Sequence, residues 1–112
     1  MTKAVFWIEN GEYIGFEISG HTGNNIIGKD IVCAAISAMT MLTVNTICDV
    51  YKQRANTSID DSRASVSFKL KSRNKGSLGL IRGFYNELAA LKEDYPENID
   101  IRAEEILRKG VE

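Results

Sequence analysis

The 112-residue chain has one histidine, one proline, one tryptophan and two cysteines, and its net charge is only −1. One histidine and two distant cysteines do not supply the usual spacing of a zinc site. No glycine-rich phosphate motif with its lysine opens a helix after a strand, so nucleotide chemistry is not indicated and no cofactor or metal is expected. A charge balance this close to zero gives no global reason to bind a polyanion and argues against direct nucleic-acid binding. No apolar run approaches the roughly 20 residues that span a bilayer, and the N-terminus lacks the long apolar region of a signal peptide. Two cysteines without export signals point to reduced thiols in the cytoplasm. If both lie on one helix, fifteen positions at 1.5 Å per residue separate them by about 22 Å, too far for a disulfide. No linker, repeat or low-complexity segment divides the chain, so residues 1–112 are expected to form a single domain.

Hydrophobic residues make up 44% of the chain and charged residues 26%, and the pattern of the former sets the elements. Val5 and Trp7 alternate with Phe6 and Ile8, an opening strand apolar on both faces, which suggests burial on both sides or an interface on one and favours a second copy of the chain. Asn10-Gly11 is a two-residue hairpin signal, because both residue types tolerate positive φ. Ile14, Phe16 and Ile18 then give a second strand with one apolar face. Residues 20–30 carry three glycines and two asparagines without periodicity and read as a mobile loop. From Ile31 to about Tyr51 the spacing of Val32, Ala35, Ile36, Met39, Leu42, Ile47 and Val50 predicts a central buried helix, with Asp30 as a candidate N-cap. Ser58–Asp60 and Ala64–Leu70 read as a short and a longer strand. Leu78, Ile81, Phe84, Tyr85, Leu88 and Leu91 mark a second helix over about 77–95, ended by Pro96. Ile99, Ile101 and Ala103 alternate as a last strand before a charged tail. The predicted class is α+β: a two-layer domain with a mostly antiparallel sheet and two main helices on one face.

The chemistry-bearing residues flank the glycine-rich loop. His21 follows the second strand, and Cys33 opens the central helix, at about its third position if Asp30 is the cap. A thiol is a strong nucleophile only as thiolate, and imidazole is suited to take its proton at neutral pH. A helix N-terminus favours the thiolate, and its unpaired N–H groups can hold an oxyanion. Asp30 either caps the helix or orients His21, and its charge partly opposes a second negative charge nearby. Ser37, four residues beyond Cys33, shares its helical face and reads as a local hydrogen-bonding residue. Gly20, Gly23 and Gly28 are either turn residues or the pivots of a loop that folds over an extended peptide. Cys48 reads as structural. Lys69, Lys71, Arg73 and Lys75 form a basic stretch of the kind that guards a sheet edge. On spacing alone, a small apolar residue in an apolar helix is the commoner role for a cysteine such as Cys33.

Gly20-His21-Thr22-Gly23, followed by Gly28-Lys29-Asp30-Ile31-Val32-Cys33-Ala34-Ala35-Ile36-Ser37, resembles the signature of the ribosomal-processing cysteine protease family, Prp. The resemblance is close over residues 20–37 and looser over most of the remainder, including Tyr95-Pro96. Thr22 departs from the smaller residue the family more often shows there. The resemblance implies a cytoplasmic cysteine endopeptidase, with Cys33 as nucleophile and His21 as the group that takes the thiol proton and then protonates the leaving amine. Its substrate would be the N-terminal extension of a bacterial large-subunit ribosomal protein, cut after bulky aromatic residues, and the enzyme would act as a homodimer without a cofactor. The reading from a different class is a non-catalytic module that binds an extended peptide of the ribosomal protein during assembly.

Overall fold

A computed structural model of the chain describes residues 1–20 and 29–106. Five strands, β1 (Thr2–Glu9), β2 (Glu12–Ser19), β3 (Ala55–Asp60), β4 (Ser65–Leu70) and β5 (Ile99–Glu105), form one sheet in the order β3-β4-β2-β1-β5. Two helices, α1 (Lys29–Asn45) and α2 (Lys75–Asp94), complete the α+β domain that the hydrophobic pattern predicts.

The β1–β2 hairpin turns at Asn10 and Gly11, with φ of 51° and 80°. Both are positive, as a two-residue turn matched to the strand twist requires. The pairing register Phe6↔Phe16 and Phe16↔Phe68 aligns three phenylalanines on one face of the sheet. All three are fully buried. Their ring centroids lie 5.7 Å (Phe6–Phe16) and 5.4 Å (Phe16–Phe68) apart, and Phe84 of α2 packs 5.0 Å from Phe16. Aromatic pairs at such separations add to their area burial. Ile81 and Leu88 of α2, with Val32, Ile36, Val44 and Ile47 of the α1 segment, close the core over this face.

The opposite face is mostly polar. The register sets Val5 beside Glu17, Glu17 beside Ser67, and Ser67 beside Ser58; Trp7 lies beside Gly15 and Gly15 beside Lys69. Val5 and Trp7 are half-buried there. Gly15 is constrained by this packing: a Cβ would stand 2.4 Å from the Phe68 carbonyl oxygen and 3.1 Å from the Trp7 ring. The apolar character of both faces of β1 is thus answered in part within the chain.

Several boundaries differ from the sequence reading. The α1 helix begins at Lys29, so Asp30 is its second residue and not its N-cap; lysine is a good helix former and does not stop the helix there. Beyond Asn45 the chain continues as a π-helical turn, Thr46–Val50. The first strand of the second hairpin runs from Ala55, three residues before the predicted start, because β4 offers a pairing partner as far as Leu70. The α2 helix starts at Lys75, two residues early, with the Asn74 side chain accepting from the Ser77 amide at 2.9 Å. It ends at Asp94, and Tyr95, before Pro96, has left helical geometry with φ −132°, as the residue before a proline tends to. The β5 strand runs parallel to β1 and extends into Glu104 and Glu105.

The expectation about apolar length also needs correction. The 20 residues Ile31–Val50 have a mean hydropathy of 1.9, enough by length and composition to cross a membrane. One side of this helix packs into the core through Val32, Ile36, Val44 and Ile47, while Ile31, Leu42 and Val50 are exposed.

Candidate active site

Cys33 sits one turn into α1 and is half-buried. Residues three, four, seven and eight positions beyond it on a helix share its face. These are Ile36, Ser37, Thr40 and Met41, and together with Cys33 they line one wall of an open cleft. The facing wall comes from one end of the sheet: Thr2 of β1, Ile18 of β2 and Gly20 just beyond it, Ala64, and Val66 of β4. The cleft holds about 210 Å³ and is largely apolar. Its floor is firm, since Ile36 and Ile18 are core residues and the buried Thr40 hydroxyl donates to the Ile36 carbonyl at 2.7 Å.

Two backbone features shape the rim. Gly20 adopts φ +78°, and a Cβ there would stand 2.7 Å from the Met1 carbonyl oxygen. Ala64 adopts φ +48°, left-handed geometry that costs a residue with a Cβ about 1–2 kcal/mol. It follows the 3-10 turn Asp61–Arg63, where the Ala64 amide donates to the Asp61 carbonyl.

The cleft therefore unites three of the residues singled out in the sequence: Cys33, Ser37 and Gly20. His21, Gly23 and Gly28 lie outside the described residues, and for Asp30 the description extends to its helical backbone alone. Cys33 is the fifth residue of α1, not the third. The amides that a helix leaves without intrahelical partners belong to its first four residues. The Cys33 amide thus falls inside the helical ladder, and the expected pairing of nucleophile and oxyanion donor in that one residue does not follow from the helix end. The dipole contribution is correspondingly weaker, since it fades beyond the first turn.

Cys48 lies in the π-helical turn. Burial pushes its thiol above the ordinary value of 9.0, and the neighbouring Asp49 carboxylate adds to the effect. That environment holds the thiol protonated at neutral pH, in keeping with a structural role. Among the described residues no three His, Cys, Asp or Glu side chains are grouped to hold a metal ion.

Sequence reasoning placed only Ser37 on the Cys33 face and missed Ile36, Thr40 and Met41 there, as well as Thr2, Ile18, Ala64 and Val66. Helical periodicity from Cys33 is the signal that finds the first three. Nothing in the sequence brings Ala64 and Val66 of a later hairpin opposite them; that follows from β4 pairing with β2.

Comparison with known proteins agrees with this architecture. The ribosomal processing cysteine protease Prp of Staphylococcus aureus is 28% identical over 92 residues, covering 81% of this chain and 87% of that protein. The crystal structure of the S. aureus protease Prp with a substrate peptide superposes with a TM-score of 0.84 at 23% identity, over 93% of this chain and all of that one. SMU.848 of Streptococcus mutans gives 0.82 at 23% identity, over 95% of this chain and 99% of that one. Residues 1–100 match the family described as cysteine protease Prp, and with a cysteine on the wall of an open cleft the chain belongs to that family of cysteine peptidases.

Proposed function

We propose that this cysteine peptidase removes the N-terminal extension of a large-subunit ribosomal protein in the cytoplasm, with Cys33 and His21 as its catalytic pair. The observation that carries the reading is the position of Cys33 on the wall of the cleft, with Gly20, the residue before His21, on the facing side. The S. aureus relative, a ribosomal processing protease, supplies the substrate class. An apolar cleft of about 210 Å³ between Ile18, Ile36, Met41 and Val66 suits one large apolar side chain beside the scissile bond.

The chemistry runs in two halves. The His21 imidazole takes the Cys33 thiol proton, and the thiolate attacks the scissile carbonyl carbon. As the tetrahedral intermediate collapses, the C–N bond breaks and the imidazolium gives its proton to the departing amine. Water then attacks the thioester, losing a proton to the imidazole. The C–S bond breaks as the imidazolium returns its proton to the Cys33 sulfur, and the N-terminal fragment leaves as its carboxylate, its remaining proton going to solvent. Asp30 and Ser37 are proposed as supporting residues, and Gly20, Gly23 and Gly28 as pivots of the substrate loop. We also propose a homodimer, supported by the exposed Ile31 and Leu42, eleven positions apart and so on one face of α1.

The test is incubation with the ribosomal protein carrying its extension, followed by intact-mass measurement. The expected result is loss of the N-terminal fragment with wild type, and none with Cys33→Ala or His21→Ala, both folded by circular dichroism. Tight binding without mass loss would make the chain a non-catalytic binding module. Cleavage by Cys33→Ala would remove Cys33 from the mechanism.

A further inference from the structure

Ile59 is the one large apolar side chain on β3, and it is 62% exposed on the strand at the sheet edge. An exposed apolar residue on an edge strand invites unwanted pairing, and such edges usually carry charge instead. Apart from Ala55, which packs against the core, the other residues of β3 are polar: Asn56, Thr57, Ser58 and the charged Asp60. The pairing register explains where Ile59 belongs. It lies directly opposite Val66, Val66 lies opposite Ile18, and Ile18 lies opposite Ala4. Directly paired residues share a sheet face, so these four form an apolar row across β3, β4, β2 and β1. Ala4 and Ile18 are buried, and Ile18 and Val66 line the cleft beside Cys33. The row thus runs out of the cleft and ends on an uncovered isoleucine.

We infer that Ile59 is a specificity-determining residue, a second apolar subsite for the extended peptide whose scissile bond lies at Cys33. This rests on the proposed proteolytic reading and deepens it. The occupant is an apolar side chain of the same peptide, because the surface is continuous with the cleft that receives it. Adjacent strands are about 4.8 Å apart, and alternate side chains of an extended peptide repeat at about 6.6 Å. A peptide crossing the strands from the cleft toward the edge therefore brings the side chain two residues from the one in the cleft over Val66 and Ile59. The sequence requirement is an apolar pair, spaced by two, at the cleavage site. Ile59 touches neither the nucleophile nor the scissile bond, and its contribution is to binding.

The experiment is steady-state cleavage of a peptide covering the ribosomal-protein extension and the first mature residues. Covering about half of an isoleucine side chain corresponds to roughly a tenfold change in KM. Ile59→Ser is expected to raise KM about tenfold with kcat unchanged, and Ile59→Leu to restore wild-type KM. Peptides with aspartate at the second position to either side of the cleft-bound residue locate the contact. One of the two is expected to be cleaved poorly by wild type, and the Ile59→Ser variant to discriminate less against it. A wild-type KM in Ile59→Ser, or indifference to both peptide changes, overturns the inference while leaving the protease reading intact. No cleavage of the parent peptide by wild type defeats the protease reading itself, and this inference with it.

Discussion

The backbone of Gly20 lies so close to Met1 that a Cβ on Gly20 would stand 2.7 Å from the Met1 carbonyl oxygen. Glycine is required there twice over, because φ is also +78°. The pair ties the end of β2 to the start of β1 at the lip of the cleft, one residue before His21. Thr2 is fixed in turn, its amide donating to the Asn98 carbonyl at 2.9 Å. The end of β2, the last described residue before the proposed base, is thereby held by two strands.

Gly20→Ala is expected to lower both stability and activity. Left-handed geometry costs alanine about 1–2 kcal/mol, and the approach to a backbone oxygen adds to that, so a total of about 2–3 kcal/mol is expected from denaturant titration. The strain falls on the residue before the proposed base, His21, and kcat should fall more than tenfold. Wild-type kcat in a folded Gly20→Ala protein would show that the loop, not the strand end, positions the imidazole.

Gly15 and Gly79 make a contrasting pair. A Cβ on Gly15 would meet the Phe68 carbonyl oxygen at 2.4 Å and the Lys69 Cα at 2.9 Å, both backbone atoms of the paired strand. These cannot move without opening the β2–β4 ladder, and Gly15→Ala should cost about 3 kcal/mol or more. On α2 nothing lies within 4 Å of a Cβ added to Gly79. Replacing an exposed helical glycine by alanine typically gains about 0.5–1 kcal/mol, and Gly79→Ala should raise the urea midpoint with cleavage unchanged. Equal effects at the two positions would contradict the register of β2 on β4.

Much of this fold is legible where the signal is local. Asn10-Gly11 marks the first hairpin, the stripe from Leu78 to Leu91 marks α2, and Pro96 marks its end. What escapes is decided by partners distant in sequence. The parallel pairing of β5 on β1 depends on a crossover through α2, and the first three residues of β3 depend on the length of β4. The site divides in the same way. Resemblance and periodicity point to Cys33 and its helical neighbours, while the sheet-side wall emerges only from the strand order. The start of α1 is missed by a weaker competition: Asp30 is a good N-cap residue type, yet Lys29 continues the helix.

The two thiols should differ in reactivity and in their effect on pH stability. Cys33 lines an open cleft, while burial and Asp49 hold the Cys48 thiol above its ordinary value. Thiolate is the reactive form, so iodoacetamide at neutral pH should label Cys33 well before Cys48, as read by peptide mass spectrometry after timed quenching. A substrate peptide should slow only Cys33. Labelling of Cys48 first, or of Cys33 only after denaturation, would make Cys33 a packing residue. For Cys48 the linkage sign follows from the raised value. The folded state favours the neutral thiol, so the stabilisation is complete below the unfolded value near 9.0 and is lost as pH rises through the higher folded value. Replacing Cys48 by alanine should therefore flatten the decline in urea midpoint between about pH 8 and 10, with no effect on cleavage. An unchanged alkaline slope would mean that the Cys48 thiol does not contribute to that limb.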